Sequence, residues 1–249
     1  MRVFLINLDK DVVKFASMDS QLTQMGVAYE RIPGVLGKNL SPLEIRRSFN
    51  SFRWWCAIGR AVSAAEIGCA LSHYKIYQRM VDENITVACI LEDDVVIDSR
   101  FQDQIKNLEK FLGQSEVVCS PIPRVVLLSN QMGIKFQNNT DDFVVRKSSS
   151  GMCTDGYCLN KAAAKALLKA NLPICVPCDT WGRWVRSRTI ELYHALPSVV
   201  RQNQERFGSS TSANRQAVAE MPVMRWLAHK GKRVIGRSID FALSCIVKR

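Results

Sequence analysis

Apolar positions in the opening of the chain switch between two spacings, and the switches mark its elements. Val3, Phe4, Leu5, Ile6 and Leu8 crowd into one short run closed by Asp9, which predicts a strand over 3–8. Val12, Phe15, Met18, Leu22 and Met25 then recur every three or four residues up to Gly26, predicting a helix with a glycine stop. Val27–Ile32 predicts a second strand, and Pro33-Gly34 a turn. A strand–helix–strand opening predicts the α/β class, with a mostly parallel sheet flanked by helices.

The pattern continues in the same way. Ser41-Pro42-Leu43-Glu44 reads as a helix start, and Phe52, Trp54 and Trp55 form an aromatic cluster assigned to the core rather than to an exposed loop. Ser63-Ala64-Ala65-Glu66 is a capping box opening a helix through Val81. Thr86–Leu91 is the next strand, and Ser99 is expected to cap a helix running to Leu112. Strands are predicted at 125–129, 143–146, 152–159 and 190–195, with helices at 161–169 and 181–186. Gln202 to about Ala219 is polar. Beyond it Met224, Leu227, Ile235, Ile239, Leu243 and Ile246 return at mostly helical spacing. The division expected is a catalytic-size domain over 1–201, a linker over 202–221 and an amphipathic tail over 222–249.

Composition adds little to this except through charge. The 249 residues are 47% hydrophobic and 23% charged, enough for one good core. The net charge is +11, and residues 222–249 hold seven bases against one acid. That tail therefore contributes +6 and leaves +5 for the remainder. A basic amphipathic segment suits an anionic membrane surface, and equally suits one more helix packed on the domain. The apolar run at the N-terminus is too short for a signal peptide, and no run approaches a membrane span, so a cytoplasmic location is expected.

Cysteines in that compartment are expected to be thiols. Cys153, Cys158, Cys175 and Cys178 have nearly the spacing of a four-thiolate zinc site. In an extended 152–159 segment, however, Cys153 and Cys158 fall on opposite faces, so the four are not expected to converge.

The acids concentrate the chemistry. Glu92, Asp93 and Asp94 stand together where the strand Thr86–Leu91 ends. Two carboxylates about 4 Å apart repel by roughly 4 kcal/mol at an effective dielectric near 20. A solvated turn, a basic neighbour or a divalent metal would each offset that. There is no G-x-G-x-x-G and no G-x-x-x-x-G-K-[ST], so the common dinucleotide and phosphate loops lack their glycines.

Four stretches, in order, carry a resemblance: "VFLINLDKD" (3–11), "AEIGCALSHYKIY" (65–77), "ILEDDVVI" (90–97), and "TDGYCLNKAAAKAL" (154–167) followed by "PCDTW" (177–181). The chain resembles glycosyltransferase family 25, which includes bacterial lipooligosaccharide sugar transferases and collagen-modifying relatives. The resemblance covers roughly residues 2–200. It departs where the family has an arginine in the first helix and this chain has Lys14 and Phe15. It departs again at Ile32–Gly37, which stands where the family has an A-x-D-G turn.

This resemblance implies a GT-A-type nucleotide-sugar-binding fold and a metal-dependent, inverting hexosyltransferase. UDP-galactose is the donor implied, and a lipid-linked lipopolysaccharide or lipooligosaccharide core the acceptor. It implies Mn²⁺ or Mg²⁺ held by Glu92, Asp93 and Asp94, the first and third facing the ligand together. Asn7, Glu66, Ser72, His73, Glu92, Gly156 and Tyr157 are the implied donor-site residues. For Glu66 a cap alone is a sufficient role, and for His73 and Tyr157 a place in the core is. Asp179 is the first candidate for the base that takes the acceptor proton, and Asp155 the second. As an alternative, Asp179 caps the helix that follows it. No nucleic-acid partner is expected. The rival functions are a metal-dependent phosphoryl-transfer enzyme or nuclease, and a zinc-stapled nucleic-acid-binding module.

Overall fold

The computed structural model describes residues 1–114, 121–130, 142–203 and 207. Apart from Gln202, Asn203 and Phe207, the expected linker and basic tail lie outside the described residues.

Strand β1 (Arg2–Asn7) lies between β2 (Glu30–Pro33) and β3 (Val87–Glu92), parallel to both. Beyond β3 come β7 (Gly156–Asn160), β5 (Arg124–Leu127), β8 (Glu191–Leu196) and β6 (Val144–Ser148), completing a seven-stranded sheet. Only β7 and β6 run against the other five, so the sheet is mostly parallel. A separate pair, β4 (Val95–Ile97) with β9 (Val200–Gln202), stands beside the acid-rich turn.

Residue alternation along the strands supplies two cores. Val3, Leu5, Cys89, Leu91 and Cys158 face α1 (Val12–Gln24) and α5 (Phe101–Gly113). Phe4, Ile6, Ile90, Tyr157 and Leu159 face α4 (Ala64–Asp82), α6 (Lys161–Asn171) and α7 (Trp181–Arg186). Between β2 and α4 run a short 3₁₀ turn (Gly37–Asn39), α2 (Pro42–Ser48) and α3 (Ser51–Ile58). Trp54 of α3 is buried in the second core, whereas Phe52 is exposed. The architecture is thus the α/β sandwich that the periodicity predicts, with helices on both faces of one sheet.

Three local expectations are corrected. Ser99 does not cap α5; Asp98 does the turning instead, its carboxylate accepting from the Arg100 amide at 3.0 Å. The strand predicted from 152 starts only at Gly156, because Cys153 adopts φ +66° and breaks the extended run. Asp179 is not the cap residue of α7; that position is held by Thr180. Gly26, at φ +65°, does end α1 as its lack of a Cβ allows.

Candidate active site

A cavity opens outside the carboxyl ends of β1 and β3, where open α/β sheets take their ligands. Its walls come from the β1–α1 connection (Leu8, Lys10, Asp11, Lys14), the 34–37 loop, one face of α4 (Ala65, Cys69, Ser72, His73) and the acidic turn. Gln202 of β9 closes one side.

The α4 wall sits close because two glycines let backbones touch. A Cβ on Gly68 would lie 2.3 Å from the Val35 carbonyl oxygen, and one on Gly37 would lie 1.8 Å from that of Ala64. Ser72 pins the same loop: its hydroxyl accepts from the Val35 amide at 2.8 Å and donates to the Gly68 carbonyl at 2.7 Å.

The three acids all line the cavity, and each is held differently. Strand alternation fails after Glu92, because Asp93 and Asp94 form the turn between β3 and β4. Glu92 Oε1 lies 3.2 Å from His73 Nε2 and accepts from the Thr154 hydroxyl at 2.5 Å. Burial works against its charge, but His73 and Thr154 outweigh it and hold the carboxyl below the usual range. Asp93 accepts from the Asn7 amide at 2.6 Å, and burial still pushes its pKa up. Asp94 is raised to about 6 by burial and by repulsion from Glu92, against the pull of Lys14. Lys14 Nζ stands 3.6 Å from Asp93 and 3.7 Å from Asp94.

One atom of this turn is left over. Asp94 Oδ1 is buried and has no hydrogen-bond partner. A hard divalent cation is the group such an oxygen fits, since Mg²⁺ binds through one or two carboxylates together with substrate phosphates. The three carboxylates do not converge as a ligand cluster among the described residues. Asp94 has the open atom, Glu92 is turned to His73, and Asp93 is turned to Asn7.

Other predicted residues stand behind the cavity rather than in it. Asn7 is buried; it holds Asp93 while its own Oδ1 accepts from Arg31 at 2.9 Å. Glu66 is buried in the capping box, where Oε2 accepts from the Ser63 amide at 3.0 Å and the carboxylate pairs with Arg60. The Tyr157 hydroxyl bridges His73 Nδ1 at 2.8 Å and the Tyr77 hydroxyl at 2.6 Å. Gly156 pairs with Leu91 near the end of β3, and a Cβ there would lie 2.8 Å from Val200. The Asp155 carboxylate accepts from Ser129 at 2.6 Å and is buried outside the cavity lining. Asp179 is half-buried at the entry to α7, next to Cys178.

Lys14, Cys69 and Gln202 line the cavity although the sequence did not single them out as site residues. For Lys14 the available signal was its place in the first turns of the helix after β1. Gln202 gave none, since it arrives through long-range pairing of β9 with β4.

The four cysteines with zinc-like spacing do not meet. Cys158 lies in the core under α1 and α5, whereas Cys175 and Cys178 lie in the core on the opposite face of the sheet.

The family model described as "Glycosyltransferase family 25 (LPS biosynthesis protein)" matches residues 1–181. The chain belongs to glycosyltransferase family 25. A glycosyltransferase 25 family member of Drosophila pseudoobscura pseudoobscura is 32% identical over 119 residues, 47% of this chain and 18% of that protein. One of Anopheles gambiae is 26% identical over 215 residues, 78% of this chain and 35% of the relative. Human procollagen galactosyltransferase 2 is 24% identical over 218 residues, 80% of this chain and 34% of the relative. The chain thus matches about a third or less of the length of these animal family 25 members.

Proposed function

We propose that this chain is a hexosyltransferase that takes galactose from UDP-galactose and inverts the anomeric centre. The observation that carries this is the orphaned, buried Asp94 Oδ1 at the carboxyl end of β3, in a cavity walled by a family 25 motif. Asp94, with Glu92 and Asp93 beside it, would hold Mn²⁺ or Mg²⁺, which would supply Lewis-acid stabilisation of a departing diphosphate.

The chain's own residues do the rest. Lys14 carries positive charge to the phosphate end of the cavity, within reach of Asp93 and Asp94. Asn7 keeps Asp93 in place, and Ser72 holds the 34–37 loop closed against α4. We assign Asp179 as the base that takes the acceptor hydroxyl proton. It follows Cys178, whose sulfur lies 3.7 Å from Cys69 of the cavity wall.

Galactose is supported by the name of the human relative, a procollagen galactosyltransferase. A lipopolysaccharide or lipooligosaccharide core as acceptor is supported by the family's description as an LPS biosynthesis protein. A lipid-linked acceptor would place the protein on the inner face of the cytoplasmic membrane, through the +6 charge of residues 222–249. No helix among the described residues is long and apolar enough to cross a membrane.

The deciding experiment is donor hydrolysis and thermal shift with a panel of nucleotide sugars, with and without Mn²⁺. UDP-galactose is expected to give the largest response, and only with metal. A response confined to a different donor would overturn the galactose assignment. Equal responses without metal would overturn the role of Asp94.

A further inference from the structure

In the α4 wall lies a cluster to which the sugar-transfer reading gives no chemical role. Cys69 and His73 are one turn apart on α4, so their side chains share a face. Cys178 reaches them from the segment that leads into α7. The two sulfurs and one imidazole nitrogen all lie within 4.8 Å of one another, and this is the one such group of three among the described residues.

The spacing is that of a tetrahedral ion. Bonds of about 2.3 Å from zinc to sulfur put two sulfurs about 3.8 Å apart, and one sulfur and an imidazole nitrogen about 3.5 Å apart. Cys69 Sγ and Cys178 Sγ are 3.7 Å apart. The imidazole would have to close by at most about 1.3 Å, which is within reach of a side-chain adjustment. Whichever ring nitrogen ligates, the other keeps a partner, Glu92 on Nε2 or Tyr157 on Nδ1. A displaced Tyr157 hydroxyl would still have Tyr77. Such outer contacts fix the orientation of a metal-bound imidazole.

We propose that Cys69, His73 and Cys178 bind one thiophilic divalent cation of the zinc class, at a site that has its own ligands and adjoins the acidic turn through the His73–Glu92 contact. Two sulfurs and one nitrogen select a soft ion, whereas the carboxylates of the turn select a hard one. Cys69 and His73 also line the cavity, so the fourth ligand position opens toward it. The ion would tie α4 to the segment preceding α7, joining the wall of the cavity to the neighbourhood of Asp179. Three protein ligands and one open position is the arrangement of catalytic zinc sites rather than of closed structural ones.

The test uses Co²⁺ on the full chain, stripped with a chelator and kept reduced with a phosphine. One equivalent is expected to produce thiolate-to-cobalt charge-transfer absorption, which Zn²⁺ then bleaches by displacement. The band should disappear in Cys69→Ser and in Cys178→Ser, and persist in Cys175→Ser and in Asp94→Asn. Circular dichroism of each variant shows whether it is folded. Absence of the band in the folded wild-type chain would overturn the proposal without needing any variant. So would its survival in folded Cys69→Ser or Cys178→Ser. Donor hydrolysis with Mn²⁺ is read separately, so failure here leaves the assignment of the acidic turn untouched.

Discussion

His73 and Glu92 meet at the floor of the cavity, Nε2 to Oε1 at 3.2 Å, tying the middle of α4 to the end of β3. Burial opposes a charge on the imidazole, but Cys69 and Glu92 beside it raise its pKa from 6.5 to about 9. The folded state therefore holds the proton more tightly than the unfolded chain. The resulting stability is fully present below about pH 6.5 and is lost as the pH rises through about 9. In chelator, the melting temperature of the wild type should exceed that of His73→Asn most at pH 6, with the gap narrowing by pH 9. A gap that stays constant across this range would show that the pair carries no charge.

Asp94 has a linkage of the same sign, with stability falling as the pH rises, but here it is the charged form that folding disfavours. Its pKa rises from 3.8 to about 6 on folding, so its ionised form destabilises the metal-free protein. Below about pH 4 the group is protonated in both states. Between about 4 and 6 the cost grows, and above 6 it is complete, at most about 3 kcal/mol. Asp94→Asn should therefore be more stable than the wild type at pH 7.5 in chelator, and no more stable at pH 4. With Mn²⁺ its turnover should fall on the order of 10²–10³-fold, the worth of lost leaving-group stabilisation. Unchanged turnover at saturating Mn²⁺ would remove Asp94 from the metal.

The parts of the fold that were legible in the sequence are those set by local rules. The 3.6-residue period of α1, the capping box at Ser63 and the β-rich run before Glu92 all fall within a residue or three of the observed elements. The failures have non-local causes. Alternation accounts for Glu92 and Asp94 facing the ligand together and gives no reason for Asp93 to join them, but a turn after β3 brings all three to the cavity. Cys153 interrupts a run that composition alone reads as continuous. Glu66 and Asn7 belong to recognisable stretches, yet which partner each would hold depended on Arg60 and Asp93 arriving from elsewhere. The meeting of Cys69 with Cys178, 109 positions apart, left no trace in either local pattern.

Close approach of the 34–37 loop to α4 gives a steric prediction. A methyl on Gly68 would stand 2.3 Å from a backbone oxygen, which no side-chain rotation relieves. Gly68→Ala should cost about 1–3 kcal/mol in denaturant unfolding, the usual range for forced overpacking. Because the displaced loop lines the cavity, affinity for the nucleotide sugar should fall in calorimetric titration as well. A variant with reduced stability but unchanged affinity would mean that the loop does not touch the donor.

Glu66 separates a structural role from a binding one. Its carboxylate accepts from the Ser63 amide and hydroxyl, both at 3.0 Å, and pairs with Arg60, which lies over the Trp54 ring. The group is buried and does not line the cavity. Burial raises its pKa, but Arg60 and Ser63 outweigh burial and hold it below the usual range, so it is ionised at neutral pH. Truncation leaves Arg60 without its partner and the start of α4 without half of its cap. Breaking a buried pair on one side costs about 3–5 kcal/mol. Arg60 retains some exposure to water, so the lower end of that range is expected for Glu66→Ala. Ser63→Ala, which removes only the hydroxyl cap, should cost about 1 kcal/mol. Both variants, assayed well below their melting temperatures, should keep the KM for the nucleotide sugar within about twofold of the wild type, since uniform binding is what a change in KM alone reports. A KM raised tenfold or more in Glu66→Ala, with stability nearly unchanged, would move Glu66 from the frame of α4 into contact with the donor.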